Sequence, residues 1–211
     1  PYSKSTVLML ARDIPDPRQS NYYSSLAKII LESAEGAQGK TLCLFTSHSS
    51  IRRVFDLIHK QRDQYNLEIL AQGISGSTQN ILKRLREGSN CVVLGTSALW
   101  EGIDIKGDAL QLLIITRLPF EVPTDPIYQA RSESYDNPFI QYALPNAILR
   151  FRQGFGRLIR SSTDRGVALI LDSRISKSRY GRYFVNSLPE MDLSQLESDQ
   201  IGRHIEKWLY Q

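Results

Sequence analysis

Three stretches of the chain gather residue types that handle phosphate. In Gln153-Gly-Phe-Gly-Arg-Leu-Ile-Arg160, read as a helix, Gln153, Gly156, Arg157 and Arg160 fall at i, i+3, i+4 and i+7 and share one side. Phe151, Phe155, Leu158 and Ile159 form an apolar stripe on another, so one face packs while the other points charge. Two guanidiniums one turn apart suit an anion with several oxygens, because each planar fork donates two parallel hydrogen bonds. A solvated basic helix would show the same bare RxxR. The full QxxGRxxR spacing is more specific.

The other two stretches sit where an apolar run hands over to a polar one. Leu44-Phe-Thr-Ser-His-Ser-Ser50 places Thr46, Ser47 and His48 at such a junction, the rim where α/β proteins bind ligands. Hydroxyls and backbone N–H groups there can hold phosphate, and a helix N-cap at Ser49 or Ser50 is the alternative use. Val92-Val-Leu-Gly-Thr-Ser-Ala-Leu-Trp-Glu-Gly-Ile-Asp104 adds a hydroxyl pair, Thr96 and Ser97, an aromatic, Trp100, and then Glu101-Gly102-Ile-Asp104. Gly102 permits a tight turn between two carboxylates. Alone, EGxD more often marks a surface turn.

Two look-alikes carry no such chemistry. Ala34-Glu-Gly-Ala-Gln-Gly-Lys-Thr41 almost spells the phosphate loop GxxxxGK[ST], but Ala34 stands where its first glycine belongs. Its Gly39-Lys40-Thr41 also precedes a strand instead of opening a helix, so a plain helix-to-strand turn is expected. Ala168-Leu-Ile-Leu-Asp172 ends an apolar run in a carboxylate with no acidic neighbour, which fits a capping Asp better than a magnesium ligand.

These stretches must be held by regular elements. Thr41–Phe45, Leu67–Ala71, Cys91–Leu94, Gln111–Thr116 and Val167–Leu171 are short, unalternating apolar runs, the pattern of strands covered on both faces. Between them, helical patterns span roughly Tyr22–Glu35, Ser50–Gln64, Thr78–Glu87 and Asn146–Arg160. The alternation predicts an α/β domain with a mostly parallel sheet. Thr6–Leu10 reads as an extra edge strand within a leading connector over residues 1–18. Residues 119–145, broken by Pro119, Pro123, Pro126, Pro138 and Pro145, read as a small helical insertion at the sheet rim, with helix starts at Asp125-Pro126 and Asn137-Pro138. Past Asp172 lie a basic stretch, Arg174 to Arg182, and two helical patterns. In the last, Ile201, Ile205, Trp208 and Leu209 share a face that docks.

The bulk properties exclude little. The chain has 211 residues, enough for one large domain or two small ones, and Lys+Arg exceed Asp+Glu by 26 − 22 = +4, a charge that permits a nucleic-acid partner without requiring one. Cys43 and Cys91 lie far apart inside apolar runs, so neither a metal set nor a disulfide framework is encoded. No run approaches the ~18 apolar residues of a membrane span. A cytoplasmic protein is expected, and a first residue that is Pro1 instead of Met suggests a fragment or a processed chain.

Taken in order, FTSHSS, GTSALWEGIDIKGD, TRLPFEVPTDP and QGFGRLIRSSTDRG resemble motifs IV, V and VI of the superfamily-2 helicases, in the DinG branch of the XPD/DinG group. The resemblance runs from about Asp13 to the end. It implies the second, RecA-like motor domain of an ATP-dependent DNA helicase that moves 5′ to 3′ on single-stranded DNA in a bacterial cytoplasm, at the nucleoid. By position, Arg160 and Arg157 would face the ATP γ-phosphate, Arg160 as the arginine finger, with Gln153 orienting the nucleotide. Glu101, Gly102 and Asp104 would lie near the nucleotide, and Thr46, Ser47, His48, Thr96, Ser97 and Trp100 along the DNA. ATP and Mg2+ would be held mainly by a first motor domain in cis, whose phosphate loop and DEAH box do not occur here, so the isolated chain is expected to be monomeric and inactive. Many members carry an iron–sulfur cluster in that first domain. No cluster cysteines occur in this chain.

Two other readings stand beside this one. The same fold also suits a nucleic-acid-binding or regulatory module without ATPase function, in which Arg157 and Arg160 grip the strand. A free-standing small-molecule α/β enzyme is disfavoured, since no nucleophile–base pair or metal set is visible.

Overall fold

The computed structural model describes residues 5–61, 64–96, 99, 110–156, 158 and 165–211. In chain order its strands are β1 (Thr6–Ala11), β2 (Thr41–Phe45), β3 (Glu68–Ala71), β4 (Cys91–Thr96), β5 (Leu112–Ile115), β6 (Gly166–Ile170) and β7 (Asp192–Leu196). They form one sheet of order β3-β4-β2-β5-β6-β1-β7 in which every pairing is parallel. The helices are α1 (Tyr22–Gly36), α2 (His48–His59), α3 (Thr78–Glu87), α4 (Pro126–Ser132), α5 (Leu144–Phe155), α6 (Arg174–Lys177), α7 (Gly181–Asn186) and α8 (Ser198–Tyr210).

The apolar runs lack alternation because each strand feeds two cores. In β2, Cys43 and Phe45 enter one core while Leu42 and Leu44 enter the other; β5 splits Leu112 and Ile114 from Leu113 and Ile115 in the same way. On the first face α1, α2 and α8 close over the strands, and on the second α3, α5, α6 and α7 do so. Three layers result. Each fully buried Leu, Ile or Val contributes about 1.5–3 kcal/mol, so the central strands are held from both sides.

The expected margin of the sheet is corrected. Thr6–Leu10 is not an edge: β1 lies between β6 and β7, with Val7 opposite both Val167 and Asp192. The edge on that side is β7, a strand between the helical patterns read from sequence past Asp172. Its residues, Asp-Leu-Ser-Gln-Leu, are exposed or half-buried and carry no apolar run to announce a strand. A polar edge of this kind discourages pairing with other chains.

The α1–α8 crossing depends on two glycines. A Cβ on Gly36 would stand 2.3 Å from the Gly202 carbonyl oxygen, and one on Gly202 would stand 2.7 Å from the Glu32 carbonyl oxygen. The backbones therefore touch, and Ile201, Ile205 and Leu209 are buried with Trp208 packed beside them, as the docking pattern predicts. The look-alike phosphate loop is a turn. Gln38, Gly39 and Lys40 all take positive φ (52°, 86° and 38°) and lead from α1 into β2.

In the insertion, both proline signals mark real starts. Asp125 Oδ1 accepts from Ile127 N at 2.8 Å and Tyr128 N at 3.2 Å at the head of α4. Asn137 Oδ1 accepts from Ile140 N at 3.2 Å, ahead of a π-helical turn, Phe139–Ala143, that runs into α5. The far end of α5 differs from expectation. It stops at Phe155 instead of continuing to Arg160, with Gly156 as its C-cap and Leu158 N donating to the Phe155 carbonyl at 3.0 Å in a turn. Glycines 154 and 156 weaken the helix there, while burial of Phe151, Phe155 and Leu158 keeps the apolar stripe.

Candidate nucleic-acid and nucleotide interface

A parallel sheet delivers every strand's carboxyl end to one edge, and the polar residues that follow the strands meet there. Thr96 lies beside Phe45 in register, so Thr46 and Thr96 are neighbours across β2 and β4. On the other side of β2, Thr116 donates its N–H and its hydroxyl to the Leu44 carbonyl, at 3.0 and 2.7 Å, which sets Arg117 next to Thr46. Leu171 N donates to the Ile115 carbonyl at 2.9 Å, placing Asp172 next along the rim.

The hydroxyls divide by availability. Thr46 is exposed, whereas Ser47 is half-buried and caps α2, accepting from Ser50 N at 3.2 Å. The cap is thus Ser47, not Ser49 or Ser50, and α2 begins at His48, which is exposed. Thr96 is buried at 9% exposure, and both its N–H, at 2.8 Å, and its hydroxyl, at 3.1 Å, are directed to Gln72 Oε1 at the end of β3. Gln153 is exposed on the last turn of α5, above a buried Gly154. Arg157, Arg160, Glu101, Gly102, Asp104, Ser97 and Trp100 lie outside the described residues.

Asp172 anchors the middle of the rim. Its carboxylate accepts from Leu118 N at 2.8 Å, from Arg174 N at 3.0 Å, and from the Arg174 guanidinium at 2.6–3.1 Å. Burial by itself would raise its pKa, but the Arg174 charge and these donors outweigh it and hold the carboxyl below the usual range. With its oxygens so engaged, Asp172 is a sheet-end clamp and does not suit a divalent cation; among the described residues no cluster could hold a metal. Arg174 also lies over the Phe120 ring, 5.4 Å from its centroid.

Two cavities flank this clamp. One, of about 450 Å³, is lined by the Ile14–Arg18 segment, Tyr22, Arg117 and Asp172. Burial there pushes the Tyr22 phenol up to about 12 against the lowering pull of Arg117. The other, of about 440 Å³, lies between Thr46, Ser47 and Arg117 on the rim and Phe120, Tyr128 and Phe139 of the insertion. Arg117 and Arg174 line both. Sequence reasoning named Asp172 as a capping or sheet-end residue and quoted Arg117 only within TRLPFEVPTDP; Gln72 and the pairing of Asp172 with Arg174 it missed. The signal for these residues was position: each follows a strand's last apolar residue by one to four places.

Residues 30–191 match the model of a family described as the helicase C-terminal domain. The chain belongs to that family. Within it the chain is DinG-like: it is 36% identical over 199 residues to the protein named 3′-5′ exonuclease DinG of Bacillus subtilis, covering 92% of this chain and 21% of that one. It is 37% identical over 192 residues to the ATP-dependent DNA helicase YoaA of Escherichia coli, covering 89% of this chain and 30% of that one. The chain therefore spans roughly a fifth to three-tenths of these relatives' length. Among solved structures, an XPD helicase superposes with a TM-score of 0.69 at 19% identity, over 91% of this chain and 36% of that one. The C-terminal domain of the DEAD-box protein Dbp5 gives 0.54 at 16% identity, over 97% and 98%. These likenesses show the fold, a RecA-like three-layer α/β domain. Among the described residues, no helix of this helicase C-terminal domain is long and apolar enough to cross a membrane.

Proposed function

We propose that this chain is the second motor domain of an ATP-dependent 5′–3′ DNA helicase, supplying an arginine finger and part of the single-stranded DNA track. The observation that carries the reading is the convergence of Thr46, Ser47 and Arg117 on one accessible rim in a chain of the helicase C-terminal family. An exposed hydroxyl, Thr46, beside a guanidinium and a helix N-terminus is suited to the sugar–phosphate backbone, which positions a strand without reading its sequence.

In this reading Arg160 stabilises charge developing on the γ-phosphate, Arg157 assists it, and Gln153 orients the nucleotide. An arginine finger is worth about 10³–10⁵ in rate and acts only when two domains close on the nucleotide. Glu101, Gly102 and Asp104 couple nucleotide state to the strand held by Thr46, Ser47, His48, Thr96, Ser97 and Trp100. ATP and Mg2+ are bound mainly by the first motor domain in cis, and an iron–sulfur cluster, where the parent has one, belongs to that domain too. Opening and closing of the cleft then moves the strand stepwise. The setting is the bacterial cytoplasm, on nucleoid DNA, with the isolated domain monomeric.

The test uses the 211-residue chain by itself. It is expected to bind a single-stranded oligonucleotide and to hydrolyse no ATP, with or without DNA. Sustained DNA-stimulated turnover by this chain contradicts the division of labour between two motor domains.

A further inference from the structure

The cavity between the rim and the insertion has an unbalanced charge. Two of its ionic groups are already matched. Arg174 pairs with the buried Asp172, and Glu121, which also lines the cavity, pairs with Arg150 through Oε1, its Oε2 being buried without a hydrogen-bond partner. Arg117 is different: it is half-buried, and among the described residues it makes no hydrogen bond or ion pair with a carboxylate. Its planar guanidinium fork matches two oxygens of a phosphate. Thr46 and Ser47 stand on the same wall.

The same cavity is also lined by aromatic rings. Phe120 and Phe139 stack with centroids 5.8 Å apart, Phe139 meets Tyr180 edge-on at 5.2 Å, and Tyr128 leans on Tyr142 at 5.6 Å. Phe139 remains 39% exposed despite these contacts. The cavity's volume of about 440 Å³ falls among small-ligand sites, which run about 300–1,000 Å³. The cavity thus offers a phosphate site and a flat apolar surface.

We propose that this cavity takes one nucleotide unit of a single strand, with its phosphate on Arg117 and the Thr46 hydroxyl and its base against Tyr128 and Phe139. The assignment rests on the DNA-track reading above and adds to it a stacking subsite built by the insertion. Asp172 and Arg174 are positioning residues here: they fix the Leu118 backbone and the Phe120 ring on either side of the site. Stacking is tolerant of base identity, so the subsite grips the strand at any sequence.

The experiment titrates a fluorescein-labelled single-stranded oligonucleotide, intact or bearing abasic sites, with the wild-type chain, Arg117→Ala, Arg117→Lys and Tyr128→Leu across a salt series. Arg117→Ala is expected to lower the log–log salt slope by about 0.7, the value of one single-strand phosphate contact, and Arg117→Lys to restore it. Abasic sites are expected to weaken wild-type binding about fivefold or more, and to weaken Tyr128→Leu much less. The rescue by lysine separates loss of charge from loss of fold. An Arg117→Ala slope equal to wild type, or an abasic penalty unchanged in Tyr128→Leu, overturns the subsite while leaving the DNA reading intact. Displacement of the oligonucleotide by free ATP, dependent on Arg117, assigns the cavity to free nucleotide and also overturns it. A wild-type chain that binds no oligonucleotide overturns both readings.

Discussion

The α1–α8 face and the carboxyl rim solve opposite problems with the same sheet between them. At the crossing, Gly36 and Gly202 let two backbones touch over a buried apolar layer of Ile201, Ile205 and Leu209, while Glu32, Glu35, Asp199, Arg203 and Glu206 line a cavity of about 450 Å³ on its outer side. Along the rim, cavities stay open, an arginine is left without a carboxylate among the described residues, and the buried Asp172 is committed to holding two loops in place. The contrast teaches where this domain keeps its stability and where it keeps its chemistry. Substitutions on the two sides should separate accordingly.

The largest effect is expected at the crossing. Gly36→Val places branched carbons against the Gly202 carbonyl, and over-packing against backbone costs about 3 kcal/mol of stability. Chemical denaturation should show this, while the fraction that remains folded keeps wild-type affinity for single-stranded DNA. Equal losses of stability and affinity would break the contrast. Asp172→Asn should cost less, about 1.5–3 kcal/mol, because charge-assisted hydrogen bonds are lost but Arg174 stays partly solvated. It should also loosen Leu118, so DNA affinity falls together with stability.

A smaller effect sharpens the same point through pH. The Asp172 pKa is depressed in the folded state, so its contribution is present above the unfolded value of about 3.9 and is lost as pH falls through the folded pKa. Denaturation midpoints of the wild type should therefore drop on acidification below about pH 4, more steeply than those of Asp172→Asn. Glu68 keeps part of the slope in the variant. Despite partial burial, its pKa is also held low by hydrogen bonds from Cys91 and Arg84 and by the Arg84 charge.

Much of the architecture was legible because it is written in local signals. Five strands announced themselves as apolar runs long enough to serve two cores, and Asp125-Pro126 and Asn137-Pro138 marked helix starts by side-chain capping. What failed was non-local. The place of β1 inside the sheet is decided by its pairing with β6 and β7, and nothing within Thr6–Ala11 encodes that. A polar β7 forms because β1 offers it a partner. The helical period through Leu158 persists in the apolar stripe although the helix itself ends at Gly156. Site residues divide in the same way: Thr46, Ser47 and Asp172 follow predicted strands and could be named from the sequence, whereas the closeness of Arg117 to Thr46 and the clamp that Asp172 makes on Leu118 emerge only when β2, β5 and β6 are laid side by side.

The most direct test of the second-motor-domain claim is single-stranded-DNA-stimulated ATP hydrolysis by the full-length parent, wild type beside Arg160→Ala. Turnover is expected to fall on the order of 10³-fold while affinity for the strand is kept, because an arginine finger acts on the nucleotide in the closed cleft. Hydrolysis that persists while strand affinity drops would contradict it, and would make QGFGRLIR a strand-binding element.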